Sequence, residues 1–125
     1  MGNLNPGQLI GVRVGPVIHL GIVSDRYVDG LPMVISNSLR SGCVAEEPFA
    51  VFKGGWEFIP VAQPANLPTW YVLSRARQML GTRWNLISWN CEHFAYWVFG
   101  HESESPQLKQ AGVMLGIAIL LARFA

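Results

Sequence analysis

The residues of this chain best suited to chemistry fall in five consecutive positions, Asn90-Cys91-Glu92-His93-Phe94. Cys91 is one of two cysteines in the chain. It follows a residue type that caps helices, because an asparagine side-chain oxygen accepts an otherwise unpaired amide proton of the first turn. Phe94-Ala95-Tyr96-Trp97-Val98-Phe99 then runs to Gly100, which suits a left-handed helix stop. The pattern predicts Cys91 in the first turn of a short helix, where the positive end of the macrodipole favours thiolate over thiol. Free amides of the same turn could hold an oxyanion formed when the sulfur attacks a carbonyl. The chemistry indicated is nucleophilic. The plainer alternative is a small apolar packing cysteine.

A nucleophile of this kind needs a base within reach, and the chain has three histidines. His93 follows Cys91 by two residues, about 200° around a helix, so the two side chains diverge. His101 lies beyond Gly100, about 15 Å along the axis if the helix were continued. His19 remains, within Val17-Ile18-His19-Leu20-Gly21-Ile22-Val23, a β-branched apolar run that reads as a strand. An imidazole in such a strand needs a partner, and a thiol–imidazole pair would be nucleophile and general base together. A core histidine bonded to backbone is the other reading.

A histidine strand followed well downstream by Asn-Cys-Glu-His-Phe opening a helix resembles the lecithin:retinol acyltransferase-like group. That group belongs to the circularly permuted branch of the NlpC-type papain-like thiol enzymes. The resemblance spans about Leu9 to Gly100, and the cysteine motif is its specific part. It implies Cys91 as nucleophile and His19 as base. Members of the group usually carry a second histidine on the next strand to orient the first, and Met33-Val34-Ile35-Ser36-Asn37-Ser38 has none. Ser36 falls at the matching position, and Asn37 is its neighbour on the opposite strand face. Either could accept an imidazole N–H. A neutral partner stabilises imidazolium less than a carboxylate does. Otherwise Ser-Asn-Ser is simply a strand end and turn.

The elements that must position these residues come strands first, helices later. Leu9–Val14 and Val17–Ser24 read as strands joined at Gly15-Pro16, and 25–32 reads as a polar loop. Met33–Asn37 is a third strand, Glu46–Phe52 a short helical turn, and Trp56–Val61 a fourth strand. A helix is predicted over Thr69–Leu80, opened near Pro68 and stopped at Gly81. The fold class is α+β, an antiparallel sheet of about four strands packed on helices. The resemblance adds a permuted papain-like arrangement. The cysteine helix is apolar on every face, which predicts a central, buried helix. Trp84 and Trp89, beside the motif, are either the lining of an apolar groove or ordinary core aromatics.

At 125 residues the chain holds a single core-bearing domain. Its organisation reads as a domain over 1–100, a polar linker over 101–110 and a hydrophobic C-terminal helix over 111–125. Half the residues are apolar and 14% are charged, which argues against disorder across most of the chain. A net charge of +1 without a basic cluster argues against a nucleic-acid partner. No metal or cofactor is expected. Two cysteines, one of them a working thiol, favour a reducing compartment, and the first residues lack the pattern of a signal peptide. The expected location is the cytoplasm.

Ala111–Ala122 is twelve residues without a charge, short of the roughly 20 needed to span a bilayer. It would either lie at a membrane surface or pack on the domain. The expected activity is acyl transfer or hydrolysis on an acyl lipid or peptide-amide substrate through a Cys91 thioester. Two alternatives stand beside it: a non-catalytic binding module that keeps the fold, and a cell-wall peptide amidase or cysteine peptidase.

Overall fold

A computed structural model describes residues 4–100 of the chain. The linker and C-terminal helix expected over 101–125 lie outside the described residues. Five strands, β1 (Leu9–Val14), β2 (Val17–Val28), β3 (Leu31–Asn37), β4 (Val44–Pro48) and β5 (Glu57–Ile59), form one antiparallel sheet in the order β4-β3-β2-β1-β5. Three helices complete the described fold: α1 (Phe49–Lys53), α2 (Thr69–Gln78) and α3 (Cys91–Val98). The α+β class holds, with one strand more than the sequence suggested.

Strand alternation divides the core in two. Leu9, Leu20, Ile22, Ile35 and Val44 pack against α2 and α3, through Val72, Leu73, Ala76, Phe94, Ala95 and Val98. Their strand neighbours Ile10, Val12, Val14, Val23 and Val34 point the other way and pack against Phe49 and Phe52 of α1. Side chains of a strand leave alternate faces, so a period of two builds both layers from the same residues. The buried face of α3 includes Phe94, Ala95 and Val98, together with Glu92 and His93, in keeping with a central helix.

Two segments differ from the sequence reading. The expected polar loop over 25–32 is the tip of a long hairpin, with β2 and β3 pairing at Tyr27–Pro32 and Val28–Leu31. Asp29 and Gly30, at φ 53° and 81°, make a turn of the hand that matches strand twist. The expected helical turn from Glu46 is instead β4 running into α1 after Pro48. Glu46 and Glu47 leave opposite faces of β4. Glu46 receives Ser24 Oγ, Arg26 and Arg77, while Glu47 takes a two-pronged bond from Arg40 at 2.7 and 2.9 Å. Burial alone would raise the Glu46 carboxyl, but bonds from Arg77 and Ser24 outweigh it and hold the group below its usual range.

Candidate functional site

The sulfur of Cys91 is positioned from two directions. A compact loop delivers the chain to α3. Asn85 and Trp89 exchange both backbone hydrogen bonds, and Asn85 Oδ1 accepts from the amides of Ile87 and Ser88. The preceding segment is tied to the start of β4, with Gly81 N–H on the Val44 carbonyl and Val44 N–H on the Thr82 carbonyl. Asn90 then caps α3, its side-chain oxygen accepting from the amides of Glu92 at 2.9 Å and His93 at 3.2 Å. His93 closes the box by accepting the Asn90 amide on Nδ1 at 3.0 Å. An imidazole here fills the place that glutamate or glutamine usually takes three residues after the cap.

The other direction is β3. Asn37, at the strand's end, donates through Nδ2 to the carbonyls of Trp89 at 2.7 Å and Asn90 at 3.3 Å. Strand and cysteine turn are thereby locked together. At the far end of α3, Arg75 donates to the carbonyls of Trp97 and Val98 while its guanidinium lies 3.8 Å from the Trp97 ring. A cation at a helix C-terminus complements the macrodipole. Sequence reasoning missed both clamps, because each joins residues more than twenty positions apart.

Cys91 is half-buried, and its sulfur lies 4.0 Å from the Ile18 carbonyl. The β2–β3 register ends at the Gly21–Ser36 pair, which leaves residues 18–20 of β2 at an edge beyond it. The thiol occupies that open edge between the backbone groups that flank His19. Burial pushes its pKa up to about 12, against smaller lowering contributions led by the Leu20 amide, so the resting group is a neutral thiol.

His19 is 2% exposed and its ring lies 5.1 Å from that of Phe52, on the α1 face of the sheet. Neither ring nitrogen has a hydrogen-bond partner among the described residues. Burial, with a smaller repulsion from Arg40, lowers its pKa to about 3, so the ring is neutral. The structure therefore does not form the expected thiol–imidazole hydrogen bond. The physical reason is alternation: His19 shares a strand face with Val17, Gly21 and Val23, and α3 packs on the other face.

Ser36, opposite Gly21, is buried on the same face as His19, and Asn37 projects toward the cysteine turn. His93, set aside as a base on helix geometry, serves the cap. Trp89 is half-buried, donates to Thr82 Oγ1 and packs edge-on to Phe94 and Trp97, so it is part of the scaffold of the loop. Among the described residues there is no cluster of His, Cys, Asp or Glu that could hold a metal ion.

Cys91 thus stands in the first turn of a capped helix, seated against an antiparallel sheet at the backbone that flanks the buried His19. The chain belongs to the lecithin retinol acyltransferase family, whose family model matches residues 6–103. No curated protein matches it.

Proposed function

We propose that this protein carries out cysteine-dependent acyl transfer or hydrolysis on an acyl lipid or amide substrate, with Cys91 as nucleophile and His19 as base. The observation that carries the reading is the seat of the sulfur, in the first turn of a capped helix and against the strand edge that flanks His19. The imidazole is attached between the two backbone groups beside the sulfur. Turning away from Phe52 toward the open strand edge brings it into play.

In the reaction, the Cys91 sulfur bonds to the substrate carbonyl carbon as the thiol proton passes to a ring nitrogen of His19. The carbonyl oxygen takes the negative charge, and amides of the first turn of α3 stabilise it. Collapse expels an alcohol or amine, which takes the proton from His19, and leaves a thioester on Cys91. Water or a second acceptor then attacks the thioester, giving its proton to His19, which returns it to the sulfur. Both groups are neutral at rest. The thiol therefore loses its proton during attack and not before it. The uncharged run Ala111–Ala122 favours a lipid donor and a peripheral position on a membrane in the cytoplasm. The permuted papain-like chain order is part of the same proposal.

One observation favours a second reading, a binding module without turnover: His19 has no partner and Cys91 is not activated in the described conformation. Intact-mass analysis of the full chain, after incubation with phospholipid vesicles and with an activated acyl ester, separates the two. An acyl adduct on Cys91 is expected, absent in Cys91→Ala. Its rate of formation should fall by about 10²-fold or more in His19→Gln, in line with the loss of a general base. No adduct from either donor on folded protein would reject the enzyme in favour of the module.

A further inference from the structure

His93 holds an unusual post for an imidazole. It closes the cap of α3 by accepting the Asn90 amide on Nδ1 at 3.0 Å, and both residues are buried, at 6% and 7% exposure. Glutamine, one of the usual residues at this position, accepts through an oxygen that does not titrate. Imidazole accepts only while Nδ1 is bare, so the ring proton sits on Nε2 and the ring is neutral. The bond that closes the cap therefore exists in one protonation state of His93 and not in the other.

A proton added to Nδ1 sets donor against donor at the Asn90 amide. It also puts a cation in the first turn of α3, where the positive end of the macrodipole opposes it. The neighbouring elements do not offset this. β3 carries no titratable residue. On β2, His19 leaves the opposite sheet face, and Asp25, Arg26 and Tyr27 lie toward the hairpin tip. On α2, Arg75 binds the last carbonyls of α3 with its guanidinium near the Tyr71 ring, while Arg77 binds Glu46 and Asp25. Arg83 of the preceding loop is an exposed cation. Beside His93 on α3 itself, Cys91 is a neutral thiol and Glu92 leaves the helix about 100° around from it. Burial accordingly lowers the His93 pKa from 6.5.

We propose that His93 is a proton-sensitive latch that positions Cys91: neutral, it holds the Asn90 amide and with it the first turn of α3, and protonation releases both. Asn90 joins the latch to the sulfur. Its Oδ1 accepts the Glu92 and His93 amides, and Asn37 holds its carbonyl together with that of Trp89. When the ring leaves, the Asn90 amide loses its acceptor, and the bonds on either side of Cys91 loosen together. An opened cap exposes the ring to water, where its pKa returns to the ordinary 6.5. Opening is therefore rare above that value and grows easier as the pH falls below it. The inference concerns the seat of Cys91 and holds whether or not the sulfur turns over substrate.

Amide hydrogen exchange in the full chain, corrected for the intrinsic rate at each pH, tests it. The Asn90 amide is compared with that of Val23, which is bonded to the Gln8 carbonyl. Wild type should hold its Asn90 protection, relative to Val23, above about pH 6.5 and lose up to about tenfold per pH unit below it. His93→Gln keeps an acceptor that does not titrate, so it should match wild type at neutral pH and stay level into acid. His93→Leu should be roughly tenfold less protected at every pH. The sulfur is followed by labelling with a pyridyl disulfide, with Cys43 as internal reference for the reagent. Cys91 of wild type should label at the rate of His93→Gln at neutral pH and several-fold faster at about pH 5. A level wild-type exchange profile, or a decline shared by His93→Gln, overturns the proposal. So does a loss of Asn90 protection without faster labelling of Cys91. Should His93→Gln fail to fold, wild-type protein with 15N-labelled imidazoles decides. A bare Nδ1 at neutral pH that gains its proton as Asn90 protection falls supports the latch, and an Nδ1 already protonated at neutral pH rejects it.

Discussion

The cap of α3 and the imidazole of His19 lie on opposite faces of the sheet, and they are held in very different ways. At the cap, Asn90 accepts two amides, His93 accepts a third, and Asn37 fixes two carbonyls of the incoming turn. At His19 neither ring nitrogen is bonded, and the ring is held by apolar contact with Phe52. Hydrogen bonds specify direction, whereas apolar burial specifies little beyond exclusion of water. Cys91 is thus the fixed part of this region and His19 its adjustable part. A side chain is locked in direction by a supporting shell of hydrogen bonds, and here that shell is complete on one side only.

The sharpest way to break this contrast is acid, since it acts on the histidine first. A folded-state pKa near 3 against about 6.5 for the unfolded chain means that only the unfolded state takes up the proton between those values. Stability is therefore full above about pH 6.5 and declines by about 1.4 kcal/mol for each unit below it. His93, also lowered by burial, contributes with the same sign. The comparison to make is wild type against His19→Leu, which removes the buried titrating group. Urea unfolding at pH 7 and at about pH 4.5 should show wild type losing roughly 2–3 kcal/mol more than the variant. Equal losses would mean that His19 is not held neutral in the interior. Cys91 gives the opposite boundary. Its raised pKa favours the folded state up to the unfolded thiol value of 9.0, and that advantage is lost as the pH rises toward about 12.

Packing around His19 provides the next test. A Cβ at Gly21 would stand 2.5 Å from Val34 Cγ1 and 2.6 Å from Phe52 Cε1. Gly21→Ala should destabilise by about 1–3 kcal/mol through overpacking of the α1 layer. A thermal melt within a degree of wild type would mean that Phe52 moves freely and does not hold the imidazole. On the other side, Asn90→Ala should cost about 1–2 kcal/mol, because two first-turn amides lose their acceptor. Hydrogen exchange should speed up at the Glu92 and His93 amides before it does in the sheet. Uniform exchange across both regions would contradict the view of the cap as the anchor of Cys91.

Local signals made part of this legible in advance. The apolar alternation of Leu9–Val14 and the Asn90 cap of Cys91–Val98 are written in neighbouring residues, and the structure has both. The tip of the β2–β3 hairpin was legible in principle, since Asp29-Gly30 suits a tight turn. Its polar, exposed residues hid the strand ends. β4 was not legible. Val44-Ala45-Glu46-Glu47-Pro48 becomes a strand because Arg77 and Arg40 meet its two carboxylates from opposite faces, and no local pattern announces partners from other elements. For the site, alternation told which residues share a face with His19, but not which helix would cover that face. That is decided by the packing of α1 and α3, and it is why the expected thiol–imidazole bond is not formed in the described conformation.

The smallest effect belongs to the charge nearest this contrast. Arg40 bonds Glu47 with two prongs, at 36% and 21% side-chain exposure, and its positive charge adds to burial in holding the His19 ring neutral. An ion pair that open to solvent is screened, so Arg40→Gln should change stability by roughly 0.2–1 kcal/mol at most. Its informative consequence is directional. Without the guanidinium, His19 should become slightly easier to protonate, and the acid decline of wild type should become shallower at low ionic strength. Salt should erase the difference between the two proteins, because screening removes the same repulsion that the substitution removes. An acid decline left unchanged at low salt would assign the neutrality of His19 to burial alone and reduce Arg40 to a clamp on Glu47.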